Sequence, residues 1–335
     1  MTLRSGPMRL AELLAPVRAE LDRVSRELVL DLKPDEVDLV PLVELAASFR
    51  GKQLRPALVL LAGRSCGGLR EEHVAVAKIV ELLHTATLVH DDVLDGASLR
   101  RQQKTVNAVY GTEVPVLLGD YIYARAFHMA VQLEDPTCSR VLAETTRRIC
   151  QGEITQILHR FDFAWDEARY YRVIVDKTAT LYAAACRLGA HYAGGNDKQI
   201  EAADRFGLEL GTAFQIVDDC LDLDGEESVV GKSLGTDLLR GKLTLPLLWI
   251  QRQPRFGDRL RGFMESAREM PGSFDTGQML RELRKSFPLD AALQYAMDAA
   301  RARLANARKA LTELPPSPAR EGMEGLVEYV LDRSN

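Results

Sequence analysis

Along most of this 335-residue chain the apolar positions recur every three or four residues, and almost nowhere do they alternate with polar ones. AELLAPVRAELDRVSRELV sets leucines and valines among charges at the spacing of an amphipathic helix. RPALVLLAG, HVAVAKIVELLHTATLVHDDVLD, VLLGDYIYARAFHMAVQL and RVLAETTRRICQGEITQILHRF follow the same pattern. So do YYRVIVDKTATLYAAACRLGAHYAG, EAADRFGLELGTAFQIVDDCLDLD and LDAALQYAMDAARARLANARKALTEL. No run of β-branched residues alternates with polar ones, so the pattern predicts an all-α chain. Gly67-Gly68, Gly194-Gly195 and Pro315-Pro316 read as helix stops, and QRQPRFGDRLRGFMESAREMPGSFD as loops or a short lid. No Pro/Gly/Ser linker divides the chain, which favours one large helical domain over residues 1–335.

Composition narrows the function classes. With 46% hydrophobic and 27% charged residues the chain is an ordinary globular one. A net charge of −5 argues against a nucleic-acid binder but leaves room for a local basic pocket. Cys66, Cys138, Cys150, Cys186 and Cys220 are scattered without a CxxC pair, which suits a reducing cytosol and not a zinc site. The start has no signal-type apolar core, and no uncharged run reaches the ~18–20 residues that span a bilayer. A cytoplasmic protein is expected.

HDDVLDGASLRR concentrates charge directly behind an apolar helix. Asp91 and Asp95 are four apart, so on a helix they point the same way, about 40° apart, with Asp92 beside them. Such a cluster is either a solvated turn or a seat for a hard divalent cation, which prefers carboxylate oxygens. FQIVDDCLDLDGEE repeats the spacing with Asp218, Asp219 and Asp222. One DDxxD is a weak signal. Two, each ending an apolar helix, suit a clamp of several metals on one polyanion. Lys52 and Arg55 in GKQLRP, Arg100 and Arg101, Lys177 in DKTAT, and Lys232 and Lys242 in GKSLGTDLLRGK add the cations that a diphosphate needs.

GKQLRP, HTATLVHDDVLD, RRQQKTVNAVYG, LLGDYIYARAF, DKTATLYAAACRLGA, FQIVDDCLD and GKSLGTDLLRGKLTLP, in this order, resemble the motif series of the trans-isoprenyl diphosphate synthases. The resemblance runs from about Gly51 to Pro246 and is nearest the bacterial long-chain type, such as octaprenyl diphosphate synthases. One departure is RRQQKT, where many relatives have RRGKPT. The resemblance implies a single helical bundle with a central cavity, and head-to-tail condensation of an allylic diphosphate (farnesyl or geranylgeranyl diphosphate) with isopentenyl diphosphate. Its cofactor would be Mg²⁺, several ions of it, with Mn²⁺ as a substitute, and the chain would pair as a homodimer.

Carried over by position, Asp91, Asp95 and Asp218 would ligate metal, supported by Asp92, Asp219 and Asp222. Arg100, Lys177 and Lys242, with Lys232 nearby, would grip the allylic diphosphate. Lys52, Arg55, His84 and Arg101 would hold isopentenyl diphosphate, and Phe214 and Gln215 would lie near its isopentenyl group. His84 can equally be a histidine packed between helices. Lys177-Thr178 sits where family members bend a helix toward the cation. Ala86 and Thr87, where short-chain members carry bulkier residues, would leave a tunnel open, ending at Phe127 or Met129; alternatively, Ala86 is small because two helices pack there. The expected product is hexa- to decaprenyl diphosphate, octaprenyl favoured. A short-chain synthase, a class I terpene cyclase and a non-catalytic prenyl-binding subunit are the rival readings. A cyclase would leave Lys52, Arg55 and Arg101 without a role, and a non-catalytic subunit would be expected to lose aspartates that are complete here.

Overall fold

The computed structural model describes residues 10–34, 36–48, 51–225, 234–269 and 276–332. Its helices begin with α1 (Leu10–Leu13), α2 (Arg18–Leu32), α3 (Val40–Ser48), α4 (Leu54–Cys66) and α5 (Glu71–Leu94). Next come α6 (Val106–Tyr110), α7 (Glu113–Val131), α8 (Thr137–Leu158), α9 (Glu167–Ile174), α10 (Thr180–Tyr192) and α11 (Asp197–Asp224). The series ends with α12 (Thr236–Leu239), α13 (Leu245–Gln251), α14 (Gly257–Glu269), α15 (Thr276–Ser286), α16 (Leu289–Leu311) and α17 (Pro318–Asp332). The helical reading of the pattern holds, and α4, α10 and α16 end just before the glycine and proline stops.

Three local expectations are corrected. The first amphipathic helix is interrupted: Pro16 lacks an N–H, and a 3-10 turn at Ala15–Val17 separates α1 from α2. The stretch expected to hold loops or a short lid is not all loop: it contains α14, which buries Leu260 and Met264 one turn apart, and residues 270–275 lie outside the described residues. A short antiparallel ribbon, β1 (Leu99–Arg100) and β2 (Gln103–Lys104), was not anticipated. Its turn residues Arg101 and Gln102 have φ of 50° and 63°, the left-handed pair of a tight hairpin. Gln102 occupies a left-handed position that costs a side chain about 1 kcal/mol or more and a glycine almost nothing. This accounts for the glycine of RRGKPT and shows that the turn forms without it.

The residues sort into two compact units. The first takes the described residues up to Glu144, with Leu181–Gly207 and Lys309–Leu326. Within it α5 is packed by α2, α4 and α7 and buries Ile79, Val80, Leu82, Leu83 and Val89. Full burial of each large aliphatic side chain contributes ~1.5–3 kcal/mol, which is what selects the apolar run before the first aspartates. α2 presents Leu21, Val24, Leu28 and Leu32 as its buried stripe. Lys78 of α5 ties it down through Glu27 at 2.8 Å and Asp31 at 2.7 Å. Gly119 lets α7 reach α5: a Cβ there would fall 2.1 Å from the His90 ring.

The second unit takes Thr145–Thr180, Leu208–Arg308 and the described residues from Val327. Between α9 and α10 the backbone widens into a π-turn at Val175–Ala179. A widened turn of this kind leaves the regular hydrogen-bond ladder and is frequent at functional sites. Three anchors hold it: Arg148 bonds Asp176 at 2.7 Å, Lys177 pairs with Glu153, and Thr178 donates to Gln215 at 2.8 Å. Gly152 of α8 lies so close that a Cβ would meet the Lys177 backbone nitrogen at 2.8 Å.

Candidate active site

In the first unit the end of α5 gathers one group of the expected residues. Gly96, at φ 56°, terminates the helix in the left-handed conformation and leaves Asp95 as its cap. Asp91, Asp92 and Asp95 therefore crowd a helix C-terminus, where the macrodipole disfavours anions. Asp92, 2% exposed, takes the Arg100 guanidinium, with Nε and a terminal nitrogen at 2.9 and 2.8 Å from Oδ1. Burial pushes the Asp92 carboxyl upward, Arg100 pulls it down, and Asp95 adds repulsion. The ribbon makes this pairing possible by folding Arg100 back eight residues along the chain. Thr105 pins it there by donating to the Ala97 carbonyl at 2.6 Å.

A second feature of this unit is a basic cluster. His84 is held well below its ordinary pKa, first by burial and then by Arg55, Arg100 and Arg101. The imidazole is thus neutral among guanidinium groups. Burial and Arg100 likewise lower Arg101, and Glu81 opposes them. Arg101 lies against the backbone of Gly51, where a Cβ would fall 2.2 Å from its guanidinium, so the GKQLRP segment and the RR pair meet. Lys52 follows in that segment and is exposed. Cations gathered around an uncharged histidine have the chemistry that an anion needs.

In the second unit the three aspartates at the end of α11 have different surroundings. Asp219 is buried and accepts hydrogen bonds from the Tyr170 hydroxyl at 2.7 Å and the Gln215 amide at 2.8 Å. Burial and the nearby Asp237 push its carboxyl up to about 7. Tyr170 is itself held protonated by burial and by Asp219, so it remains a donor. Asp222 is fully buried and caps α12, accepting from the Asp237 backbone N–H at 3.1 Å and the Thr236 hydroxyl at 3.2 Å. Asp237 in turn pairs with Lys242 at 2.9 Å. Asp218 is half-exposed. Phe214 is half-buried beside Gln215, and Lys232 lies outside the described residues.

Sequence reasoning missed Tyr170, Glu153, Glu81 and Asp237. None carries a local signature, since each works through a partner brought near by folding; only Asp237 stands inside a quoted motif.

Among the described residues no three acidic, histidine or cysteine side chains already surround one metal position. The donor chemistry still fits a hard divalent cation. Asp91, Asp95 and Asp218 offer carboxylate oxygens, and Mg²⁺ is commonly held by one or two carboxylates, with waters and substrate phosphates completing its shell.

Comparison with known proteins decides the family. Residues 39–274 match the polyprenyl synthetase family model. The chain belongs to that family. It is 34% identical over 319 residues to the octaprenyl diphosphate synthase of Haemophilus influenzae, covering 94% of each chain. It is 34% identical over 323 residues to the nonaprenyl diphosphate synthase of Mycobacterium tuberculosis, covering 95% of this chain and 94% of the relative. A Caulobacter crescentus polyprenyl synthase, solved with calcium and isoprenyl diphosphate, superposes with a TM-score of 0.88 at 32% identity, covering 98% of this chain and 99% of that one. This polyprenyl synthetase is therefore a prenyltransferase of the long-chain trans-prenyl diphosphate synthase group. Among its described residues no helix is long and apolar enough to cross a membrane.

Proposed function

We propose that this polyprenyl synthetase condenses isopentenyl diphosphate head-to-tail onto an allylic diphosphate, repeatedly, to hexa- to decaprenyl length with octaprenyl favoured. The observation that carries this is the gathering of Arg55 and Arg101 near a neutral His84, apart from the Arg100 that Asp92 holds. Ionising one allylic diphosphate at an aspartate motif needs no such site. A second diphosphate does.

Asp91 and Asp95 in the first unit and Asp218 in the second would hold divalent ions, which would supply positive charge to the departing diphosphate; calcium in the Caulobacter relative supports a divalent ion. Asp92 holds Arg100, Asp219 is locked by Tyr170 and Gln215, and Asp222 holds the loop that bears Lys242. These three are supports and not ligands. Arg100, Lys177 and Lys242 contact the allylic diphosphate as preset cations, whose stabilisation of developing charge is usually the largest catalytic contribution. Lys52, Arg55, His84 and Arg101 need only hold isopentenyl diphosphate in place, because it reacts through its double bond. His84 being neutral, it serves as a hydrogen-bonding group there and adds no charge.

The names of the octaprenyl and nonaprenyl relatives support the long product, and an alanine at position 86 is too small to form a tunnel floor. The test is to incubate the purified chain with farnesyl diphosphate, isopentenyl diphosphate and Mg²⁺, and to chromatograph the dephosphorylated products. Polyprenols beyond geranylgeranyl length are expected; cyclised hydrocarbons from the allylic substrate alone would overturn the reading.

We read the chain as one catalytic domain, since the family match takes in residues of both units. A cytoplasmic location is supported by five free, dispersed thiols and by bacterial relatives. A homodimer is supported by the exposed apolar side chains Val109 and Tyr110 on α6 and Val116, Leu117 and Val131 on α7. Sedimentation should give a dimer mass, and Leu117→Arg should shift it to monomer; a wild-type monomer at assay concentration would remove this assignment.

A further inference from the structure

The geometry points to Tyr182 as a positioning residue that fixes Arg55 for isopentenyl diphosphate, an inference that rests on the two-diphosphate reading. The Arg55 guanidinium carbon lies 4.5 Å above the centroid of the Tyr182 ring. Other expected cations are held by carboxylates: Arg100 by Asp92, Lys177 by Glu153 and Lys242 by Asp237. Among the described residues no carboxylate pairs with Arg55, and its buried Nε has no hydrogen-bond partner. A carboxylate that positions an arginine consumes donors and cancels charge. An aromatic face does neither: it attracts the cation through its quadrupole and leaves the N–H groups in the guanidinium plane for a ligand.

Such a platform works only if the ring itself is fixed, and the helix packing fixes it. Tyr182 is 1% exposed, in the first turn of α10. Helices α4 and α10 run parallel, because Arg55 meets Tyr182, Val59 meets Gly189 and Gly67 meets Ala193 in ascending order. The approach is close enough that a Cβ on Gly189 would fall 2.2 Å from the Val59 carbonyl oxygen, and one on Gly67 2.6 Å from that of Ala193. On another side the Tyr182 carbonyl rests against Gly207 of α11, where a Cβ would stand at 2.4 Å. Three glycine contacts thus set the height and tilt of the ring under Arg55.

The test is a double-mutant cycle on the full-length enzyme, with KM for each substrate, kcat and thermal unfolding recorded. Tyr182→Leu is expected to raise KM for isopentenyl diphosphate roughly three- to thirtyfold, with kcat and the allylic KM within about twofold of wild type. Tyr182→Phe, which keeps the ring, should restore the wild-type KM. In an Arg55→Ala background, Tyr182→Leu should add nothing further. An unchanged KM in Tyr182→Leu, an equal rise in both substrates' KM, or a full further loss in the Arg55→Ala background would overturn the proposal. If Tyr182→Leu does not fold, Tyr182→Met enters the same cycle under the same criteria. Should the wild type fail to use isopentenyl diphosphate, the two-diphosphate reading falls. The platform is then decided by the same cycle in calorimetric titrations with inorganic pyrophosphate: weakening by Tyr182→Leu only where Arg55 is present upholds it, and any other pattern overturns it.

Discussion

Asp91→Ala should lower kcat at least a hundredfold while leaving the fold intact. Asp91 is half-exposed at the C-terminal end of α5, so its loss opens no cavity in the core. Losing one ligand of a metal clamp removes several kcal/mol of transition-state stabilisation, and each 1.4 kcal/mol is about tenfold in rate. The wild type should also lose turnover in excess chelator and regain it with Mg²⁺ or Mn²⁺. The measurement is kcat against Mg²⁺ concentration for wild type and variant, alongside their melting curves. A variant near wild-type rate, or full turnover in chelator, would sink the metal assignment. The contrast with Asp92→Ala sharpens the test. Asp92 is buried under Arg100, so its removal leaves a guanidinium without its carboxylate and should depress stability as well as rate.

Ala86→Tyr should shorten the product to farnesyl or geranylgeranyl length while the first condensation stays fast. Ala86 is 1% exposed on α5, about 7.5 Å along the axis from Asp91 at 1.5 Å per residue. A chain growing down from the aspartates would pass it at the depth of a short isoprenoid. Thr87 is no barrier, since its hydroxyl is turned to the His84 carbonyl at 2.8 Å. Phe127 and Met129 on α7 are half-buried, and the Phe127 ring rests on Tyr123 at 4.9 Å, which makes it the stiffer candidate for the floor. If Ala86 is small only because helices meet there, tyrosine overpacks the core, costing about 1–3 kcal/mol or more, and every condensation step suffers together. Chromatography separates the outcomes: short products at wild-type initial rate support the tunnel, and wild-type chain length removes Ala86 from it.

Helix content and the aspartate positions were legible because both are local. A stripe of apolar residues at period 3.6 needs no partner to be read, and two acids four apart share a face on any helix. The all-α fold and the placing of both DDxxD motifs at helix ends follow from that. What stayed hidden depends on distant segments. Nothing near Asp219 in the sequence announces Tyr170, nor does Lys177 announce Glu153. The π-turn at Val175–Ala179 was equally invisible, because VDKTA has ordinary helix-compatible residues and the surplus residue is stabilised by anchors on α8 and α11. The hairpin escaped for the opposite reason: RRQQKT lacks the glycine that normally advertises a left-handed turn.

The buried pairing of Asp222 with the start of α12 makes the second acidic motif a fastener, beside the charge we propose it supplies. It stitches the end of one long helix to the loop that displays Lys242, so the motif's letters encode two separate duties in one word. Variants of Asp218 and Asp222 that look equally dead in an assay would thus have died differently, one from a missing charge and the other from a slackened seam.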